Sequence, residues 1–247
     1  MKTFVLTASI ASIFAFLCGC AAPSSDEPGF TRVFNGRNLD GWKMQGHAFW
    51  QVEDGAIVGR QDPAETNDSW LFSEAEWSDF DLELDYKITR NCNSGVAIRM
   101  PRERAGSPDM LGYEVQISDL PALKLTGSLL HHIQSETNNV QKADEWNHLS
   151  VTCENDHFLI YLNGLKVMDT RVKGSKKGRI GMQVPKGEAF TKQVVRFRNI
   201  RVRELESEKA EKSAGAGKID GIVLGSGAST TYTGPERPLV KGHSSQS

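Results

Sequence analysis

Residues 93–99 and 112–119 read NSGVAIR and GYEVQISD, and these two segments organise the predicted fold. In the second segment, large apolar residues alternate strictly with the polar residues Glu114, Gln116 and Ser118. Because successive strand residues face opposite sides of a sheet, this pattern predicts a β-strand with one apolar and one polar face. A polar face of carboxylate, amide and hydroxyl groups suits a polyhydroxylated ligand. The alternative is an ordinary solvated face of a β-sandwich, which is the default for antiparallel sheets.

The rest of the chain predicts many more short strands. Residues 49–58 (FWQVEDGAIV) indicate a hairpin around Asp54-Gly55, and residues 80–88 (FDLELDYKI) show the clearest alternation in the protein. Further strands are predicted at residues 70–73, 146–153, 157–162, 165–168, 178–184 and 194–203. Alternation in the last of these is imperfect, which indicates a bulge or a crossing between sheets. No convincing amphipathic helix interrupts them, so residues 30–205 are predicted to form one all-β domain, an antiparallel β-sandwich or jelly roll.

The N-terminus has the pattern of an export signal. Lys2 precedes an apolar run that is too short to span a membrane, and residues 17–20 (LCGC) resemble a bacterial lipobox. That resemblance implies cleavage before Cys20 and lipidation of its thiol; the alternative is plain secretion after cleavage elsewhere. Ala21 follows Cys20, which favours the outer membrane of the cell envelope, facing the periplasm or the cell surface. The predicted divisions are therefore a signal peptide (1–19), a tether (20–29), the domain (30–205) and a low-complexity tail (206–247).

Charge and cysteine content limit the kinds of partner, disulfide and metal site that the chain can have. The chain has 29 Lys+Arg against 31 Asp+Glu, so no basic field is available to attract nucleic acid. Outside the signal, Cys92 and Cys153 remain, as either a disulfide or two separate thiols. The spacing of cysteines and histidines matches no metal finger, and no cofactor is firmly predicted from the sequence.

Several short motifs occur together in a recognisable order. They are FNGRNLDGW at 34–42, WQVEDG at 50–55, DFDL at 79–82, NSGV at 93–96 with Arg99, GYEVQISD at 112–119, WN at 146–147, LNG at 162–164 and FRNI at 197–200. As a set they resemble the 3-keto-disaccharide hydrolase domain family over residues 30–205. The resemblance implies a concanavalin-like jelly roll that is exported, often as a lipoprotein, and that acts on 3-keto-glycosides.

The resemblance also implies a site on the concave sheet, where Asn93, Arg99, Glu114 and Gln116 would lie. A carbonyl at C3 of a sugar acidifies the C2 hydrogen, so the reaction needs a base near C2 and an electrophile at the C3 oxygen. Glu114 is the candidate base, and Arg99 the candidate stabiliser of the enolate because guanidinium keeps its charge. The substrate-binding candidates are Asn93, Gln116, Asp119, Gln183 and His132.

The sequence leaves open which histidine reaches the site and whether a metal binds there. His131 and His132 are adjacent, so on a strand at most one of them would reach a shared site. A divalent cation held by Glu114 and a histidine could replace Arg99 as the electrophile. Family members often carry Leu-Gln-x-His in the penultimate strand, whereas this chain has MQVP at 182–185, with Pro185 in place of the histidine.

Three functions follow from these expectations. The first is an enzyme that cleaves 3-keto-glycosides by C2 deprotonation, elimination and hydration. The second is a non-catalytic, lectin-like carbohydrate-binding module, since jelly rolls host both. The third is a structural envelope protein, and Pro185 adds weight to the second and third.

Overall fold

The computed structural model of the protein describes residues 28–102, 112–120, 125–135 and 140–206. The predicted signal peptide, Cys20, most of the tether and nearly all of the tail lie outside these residues. Over the described ranges the chain forms no α-helix, and only a short 3₁₀ turn, Glu188–Phe190, is helical. A search of the same ranges finds no helix with the length and apolar character that crossing a bilayer requires.

Thirteen antiparallel strands form two sheets in these ranges. They are β1 Thr31–Arg32, β2 Trp42–Gln45, β3 Phe49–Glu53, β4 Ala56–Arg60, β5 Ser69–Ser73, β6 Phe80–Ile88, β7 Asn93–Met100, β8 Tyr113–Ser118, β9 Asn147–Glu154, β10 His157–Leu162, β11 Leu165–Arg171, β12 Arg179–Val184 and β13 Val194–Glu204. One sheet has the order β11-β10-β9-β6-β13-β4-β3, with β1 also paired to β13, and the other has the order β2-β5-β12-β7-β8. The predicted class, a concanavalin-like antiparallel jelly roll, is confirmed.

Local turn chemistry explains the hairpins. Asp54 and Gly55 both have positive φ, 49° and 75°, and join β3 to β4. Asn163 and Gly164 do the same between β10 and β11, with φ of 51° and 82°. Two successive residues at positive φ match the twist of paired strands, and Asp-Gly and Asn-Gly reach that conformation at low cost.

The core fills the space between the two sheets. Every second residue of β6, from Phe80 to Ile88, is fully buried, as the alternation predicts. From the other sheet, Val115 and Ile117 of β8 face the same core. Each fully buried side chain of this size contributes about 1.5–3 kcal/mol to folding. The inward direction of Val115 fixes Glu114 and Gln116 on the opposite face of the five-stranded sheet.

The structure also answers two further expectations, one about the irregular alternation of β13 and one about a disulfide. The irregular alternation in β13 is a bulge, because its pairing with β6 shifts between Arg198 and Arg201 and Asn199 has φ 53°. Cys92 and Cys153 are both free thiols, so the disulfide alternative is wrong. Burial raises the pKa of each thiol to about 12, which leaves both protonated and unreactive at neutral pH.

Candidate active site on the five-stranded sheet

The face of the five-stranded sheet that points away from the core carries two rows of side chains across the strands. The carboxamide row consists of Gln116, Gly95, Gln183, Trp70 and Gln45. The carboxylate row consists of Glu114, Ala97, Gly181, Phe72 and Lys43. Both rows follow from the strand registers, and the pairing of Met182 with Val96 sets Gln183 opposite Gly95. Apart from Gln183, the residues in the middle of the face are therefore small, and they lie between polar groups on β8 and aromatic rings on β5.

Glu114 lies across the middle of this face. Its side chain is 2% exposed, and a Cβ placed on Gly95 would stand 2.0 Å from its Oε1 atom. The backbone around it is held by the segment 125–135, since Leu130 N donates to Glu114 O and Gln116 N donates to Ser128 O. The buried carboxylate thus occupies a space that exists because residue 95 has no side chain.

Amide side chains border the carboxylate. Gln116 Nε2 donates to Asn93 Oδ1 across β8 and β7, so each amide fixes the orientation of the other. Asn93 is half-buried, whereas Gln116 is buried. The structure therefore brings Asn93, Gln116 and Gln183 onto the face that holds Glu114, in the arrangement that strand alternation predicts.

An aromatic platform forms the other side of the face, and the sequence reasoning missed it. The rings of Trp70 and Phe72 are stacked, with centroids 5.6 Å apart and planes 9° apart. Phe72 lies over Gly181, where a Cβ would come within 2.4 Å of the ring. The available signal was β5 itself, SWLFS, which is apolar at successive positions and so indicates a strand buried on both faces.

Arg179 is the guanidinium on this face. Its Cζ atom lies 4.3 Å from the centroid of the Phe72 ring, and Nη2 donates to Pro101 O at 3.2 Å. Burial, together with the nearby positive charge of Arg102, lowers the pKa of Arg179 from its ordinary value. This cation was not among the predicted site residues.

The expectation that Arg99 faces Glu114 is wrong. A bulge in β7 sets both Ile98 and Arg99 opposite Ile180, since Ala97 pairs with Gly181 and Met100 with Arg179. Arg99 has φ 50°, and its side chain turns towards the other sheet and is fully buried.

There each nitrogen of the Arg99 guanidinium donates one hydrogen bond. It donates to Ser78 O and Asn155 O at 2.6 Å each and to Asp79 Oδ1 at 2.7 Å. It also lies over the Phe158 ring, 5.6 Å from the centroid. Arg99 therefore connects the two sheets from inside the sandwich and does not reach the outer face.

Two other candidates lie outside the strands of this sheet, which corrects their predicted placement. Asp119 Oδ2 accepts from Asn91 N at 2.8 Å and so holds the turn before β7. His132 is exposed and packs against Tyr113, with ring centroids 5.4 Å apart, and Tyr113 belongs to the core face of β8. A hydrogen bond from a backbone nitrogen accounts for the position of Asp119, and ring packing accounts for that of His132.

The described residues do not fit a divalent cation. Within these ranges, no three His, Cys, Asp or Glu side chains are grouped as metal ligands. At the family's histidine position, Pro185 follows β12, and the next peptide nitrogen, Lys186 N, donates to Asp68 Oδ1 at 2.8 Å.

The sequence of this chain resembles a known protein family and a named relative. The family model described as the 3-keto-alpha-glucoside-1,2-lyase-like domain matches residues 29–203. A 3-keto-disaccharide hydrolase from Bacteroides thetaiotaomicron is 27% identical over 79 residues, which cover 29% of this chain and 27% of that protein. The alignment thus spans only about a quarter of that relative's length.

Solved structures share the fold. A proposed glycosyl hydrolase from Parabacteroides distasonis superposes with a TM-score of 0.60 at 24% identity, over 72% of this chain and 94% of its own. A second from the same organism gives 0.53 at 21% identity, over 72% and 84%. At these identities the likeness establishes the β-sandwich architecture alone.

Proposed function

Because this chain belongs to the 3-keto-alpha-glucoside-1,2-lyase-like domain family, we propose that it cleaves the glycosidic bond of 3-keto-glycosides or 3-keto-disaccharides. The observation that carries the proposal is the buried carboxylate of Glu114, which lies over Gly95 on the face that also carries amide side chains and an aromatic platform. Burying a carboxylate costs free energy, so its position on a face of amides and small residues favours a chemical role.

The proposed reaction has two stages. A base removes the proton from C2, and the electron pair of the C–H bond forms an enolate with the C3 carbonyl. The enolate collapses and expels the C1 oxygen substituent, which takes up a proton and leaves as an alcohol or sugar. Water then adds to C1 of the resulting enone, its proton returns to C2, and a free 3-keto sugar is released. The sum is hydrolysis of one glycosidic bond.

Glu114 is the proposed base. Its burial removes competing water, which strengthens every electrostatic interaction at the reacting atoms. A carboxylate that has taken the C2 proton can then return a proton to C2 or pass it to the leaving oxygen, as general acid–base catalysis requires. Gln116 and Asn93, locked to each other, would hold sugar hydroxyls beside it.

Arg179 takes the electrophilic role that the sequence assigned to Arg99. It is the first residue of β12 and lies on the Phe72 ring, so its charge is available to the face that carries Glu114. A fixed guanidinium near the C3 oxygen would stabilise the enolate charge as it develops. Arg99, by contrast, has its donors committed to the interior.

Glu114→Gln tests the proposal with 3-keto-trehalose as substrate. We expect turnover to be abolished while the circular dichroism spectrum and the melting temperature stay close to those of the wild type. Glu154→Gln is the matched control, because Glu154 is exposed at the end of β9 and should leave turnover unchanged. Turnover retained in Glu114→Gln would reject Glu114 as the base.

A saccharide-binding module without chemistry is the second candidate. The Trp70–Phe72 platform and the replacement of the family histidine by Pro185 favour it. Aromatic side chains contribute a large apolar contact area to binding without any reacting group. Calorimetric binding of 3-keto-trehalose by the wild type with no turnover would establish this function in place of the enzymatic one.

The lipobox-like ending at Cys20 adds a location to the proposal, namely a lipid anchor in the outer membrane. Lipidation would tether the domain where saccharides cross the envelope. Labelled palmitate should be incorporated by the wild-type chain in a bacterial host and not by Cys20→Ala. Equal labelling of the two, or none in either, would exclude the anchor.

A further inference from the structure

Besides Arg179 Nε, two buried polar atoms on the outer face have no hydrogen-bond partner in the described part of the chain. They are Trp70 Nε1, which can only donate, and Gln183 Oε1, which can only accept. Trp70 is 1% exposed and Gln183 is 4% exposed. The two residues are directly opposite each other on β5 and β12, with both side chains on the face that carries Glu114.

A buried donor and a buried acceptor without partners lose the hydrogen bonds that water gave them before folding. Side chains directly opposite on antiparallel strands have Cβ atoms about 4.5–5.5 Å apart, so one small group can contact both. A hydroxyl group meets both needs, because it donates one proton and accepts through two lone pairs. An ammonium group would leave Trp70 without an acceptor, and a carboxylate would leave Gln183 without a donor.

The direction of the indole N–H is fixed by packing. Trp70 stacks on Phe72, and Phe72 in turn lies over Gly181. A donor held in place by a stacked ring loses little conformational freedom when it binds a ligand. The donor is therefore held in place in advance of binding.

We propose that Trp70 and Gln183 form a hydroxyl-binding pair that determines which saccharide the site accepts. The inference rests on the proposed function for the class of ligand, a 3-keto-disaccharide. Glu114 lies over Gly95 on β7, and β12 and β5 are about 4.8 and 9.6 Å further along the sheet. The pair thus binds a hydroxyl away from the carbon that loses its proton, and it contributes to affinity and selectivity rather than to the chemical step.

The test measures binding by calorimetry in the Glu114→Gln background, which prevents turnover. The probes are 3-keto-trehalose and a panel of its monodeoxy analogues, each with one hydroxyl replaced by hydrogen. Trp70→Phe removes the donor and keeps a ring, and Gln183→Met removes the acceptor and keeps the length. We expect each substitution to weaken binding of 3-keto-trehalose about tenfold, as the loss of one hydrogen bond to a buried group implies.

Selectivity separates this pair from a general loss of packing. One deoxy analogue lacks the bound hydroxyl, and neither substitution should change the affinity for it. For every other analogue, each substitution should weaken binding about tenfold. Trp42→Phe is the matched control: Trp42 Nε1 is also buried without a partner in the described residues, but the side chain belongs to the core between the sheets. It should leave every affinity unchanged.

The outcomes are distinct from those of the proposed function. Wild-type protein that binds the panel selectively without turnover would reject the enzyme and leave the pair standing. Unchanged affinities in folded Trp70→Phe and Gln183→Met would overturn the pair, whatever the wild type catalyses, and would assign these atoms to bound water. Should Trp70→Phe unfold, Gln183→Met decides alone, through the rise in melting temperature that a bound ligand causes. Loss of that rise for 3-keto-trehalose, with no change for the analogue that lacks the bound hydroxyl, supports the pair.

Discussion

Glu114 and Gly95 compete for one volume: a Cβ on residue 95 would lie 2.0 Å from Glu114 Oε1 and 2.7 Å from its Cδ. The absence of a side chain on β7 therefore lets the β8 carboxylate lie flat across the sheet. Since Gln183 stands on the far side of Gly95, the carboxylate points towards the middle of the face and not towards its edge.

Gly95→Ala should move the carboxylate without unfolding the protein. The added methyl group must displace Glu114, and a displacement of about 1 Å at a reacting group can cost about 10²-fold in rate. We expect turnover of 3-keto-trehalose to fall by about that factor, with a small decrease in melting temperature. Steady-state kinetics and thermal unfolding on the same preparation measure both quantities.

Gly59→Ala is the matched control for that prediction. A Cβ on Gly59 would stand 2.6 Å from the Trp50 ring and 2.6 Å from a Val184 methyl, inside the core. Overpacking of this kind costs about 1–3 kcal/mol of stability. Turnover per folded molecule should stay near that of the wild type. Full activity in Gly95→Ala would contradict the assignment of Glu114.

Arg99 should matter for stability and not for catalysis. Replacing it with Met removes three donors and leaves the Asp79 carboxylate without its cation. Removing one partner of a buried ion pair costs about 3–5 kcal/mol. Urea unfolding of Arg99→Met should show a loss of that size, and the fraction that remains folded should retain its turnover.

Arg102→Ala gives the exposed comparison for Arg99→Met. The Arg102 side chain is 52% exposed in its ion pair with Glu76, and surface pairs of this kind contribute less than about 1 kcal/mol. If fully folded Arg99→Met loses its turnover while Arg102→Ala keeps it, Arg99 acts on the substrate after all.

The polar side of the site could be predicted because strand alternation is local. Gln116 and Glu114 must share a face once Val115 faces the core, and the turn before β7 sets Asn93 beside them. The hairpin at Asp54-Gly55 was predictable for the same reason, since its geometry depends on adjacent residues.

The direction of Arg99 could not be predicted, because it depends on a non-local pairing. The bulge arises where β7 meets β12, which is about 80 residues further along the chain, and it reverses the alternation between Ala97 and Met100. Arg179 and the aromatic platform could not be predicted for the same reason. Phe72 lies over Gly181 only because β5 and β12 are neighbours in the sheet.

The contact between His148 and Asp85 makes part of the stability pH-dependent. His148 Nδ1 lies 3.0 Å from Asp85 Oδ1, and this hydrogen bond raises the pKa of His148 above its ordinary value. Burial raises the pKa of Asp85, but hydrogen bonds from His148 and Asn199 outweigh it and hold that pKa below its ordinary value. Arg198 also contacts the carboxylate, at 3.3 Å.

The sign of the effect follows from the two shifts. A histidine with a raised pKa stabilises the fold fully below its unfolded value, about 6.5, and loses that contribution as the pH rises through the folded value. An aspartate with a lowered pKa stabilises the fold above about 3.9 and loses that contribution as the pH falls. The pair therefore stabilises the fold most between about pH 4 and pH 6.5.

A double-mutant cycle with His148→Gln and Asp85→Asn isolates the pair from the contacts of Asp85 with Arg198 and Asn199. Because the His148 side chain is 49% exposed, solvent screening limits the interaction to about 1 kcal/mol. The coupling energy from urea unfolding should be larger at about pH 5.5 than at about pH 9, where the imidazole is neutral. Glu83 and Arg201 also act on the imidazole, with opposite signs, but both remain in all four proteins and cancel from the cycle. A coupling energy that is equal at the two pH values, or larger at the higher one, would show that the imidazole charge does not stabilise this part of the sheet.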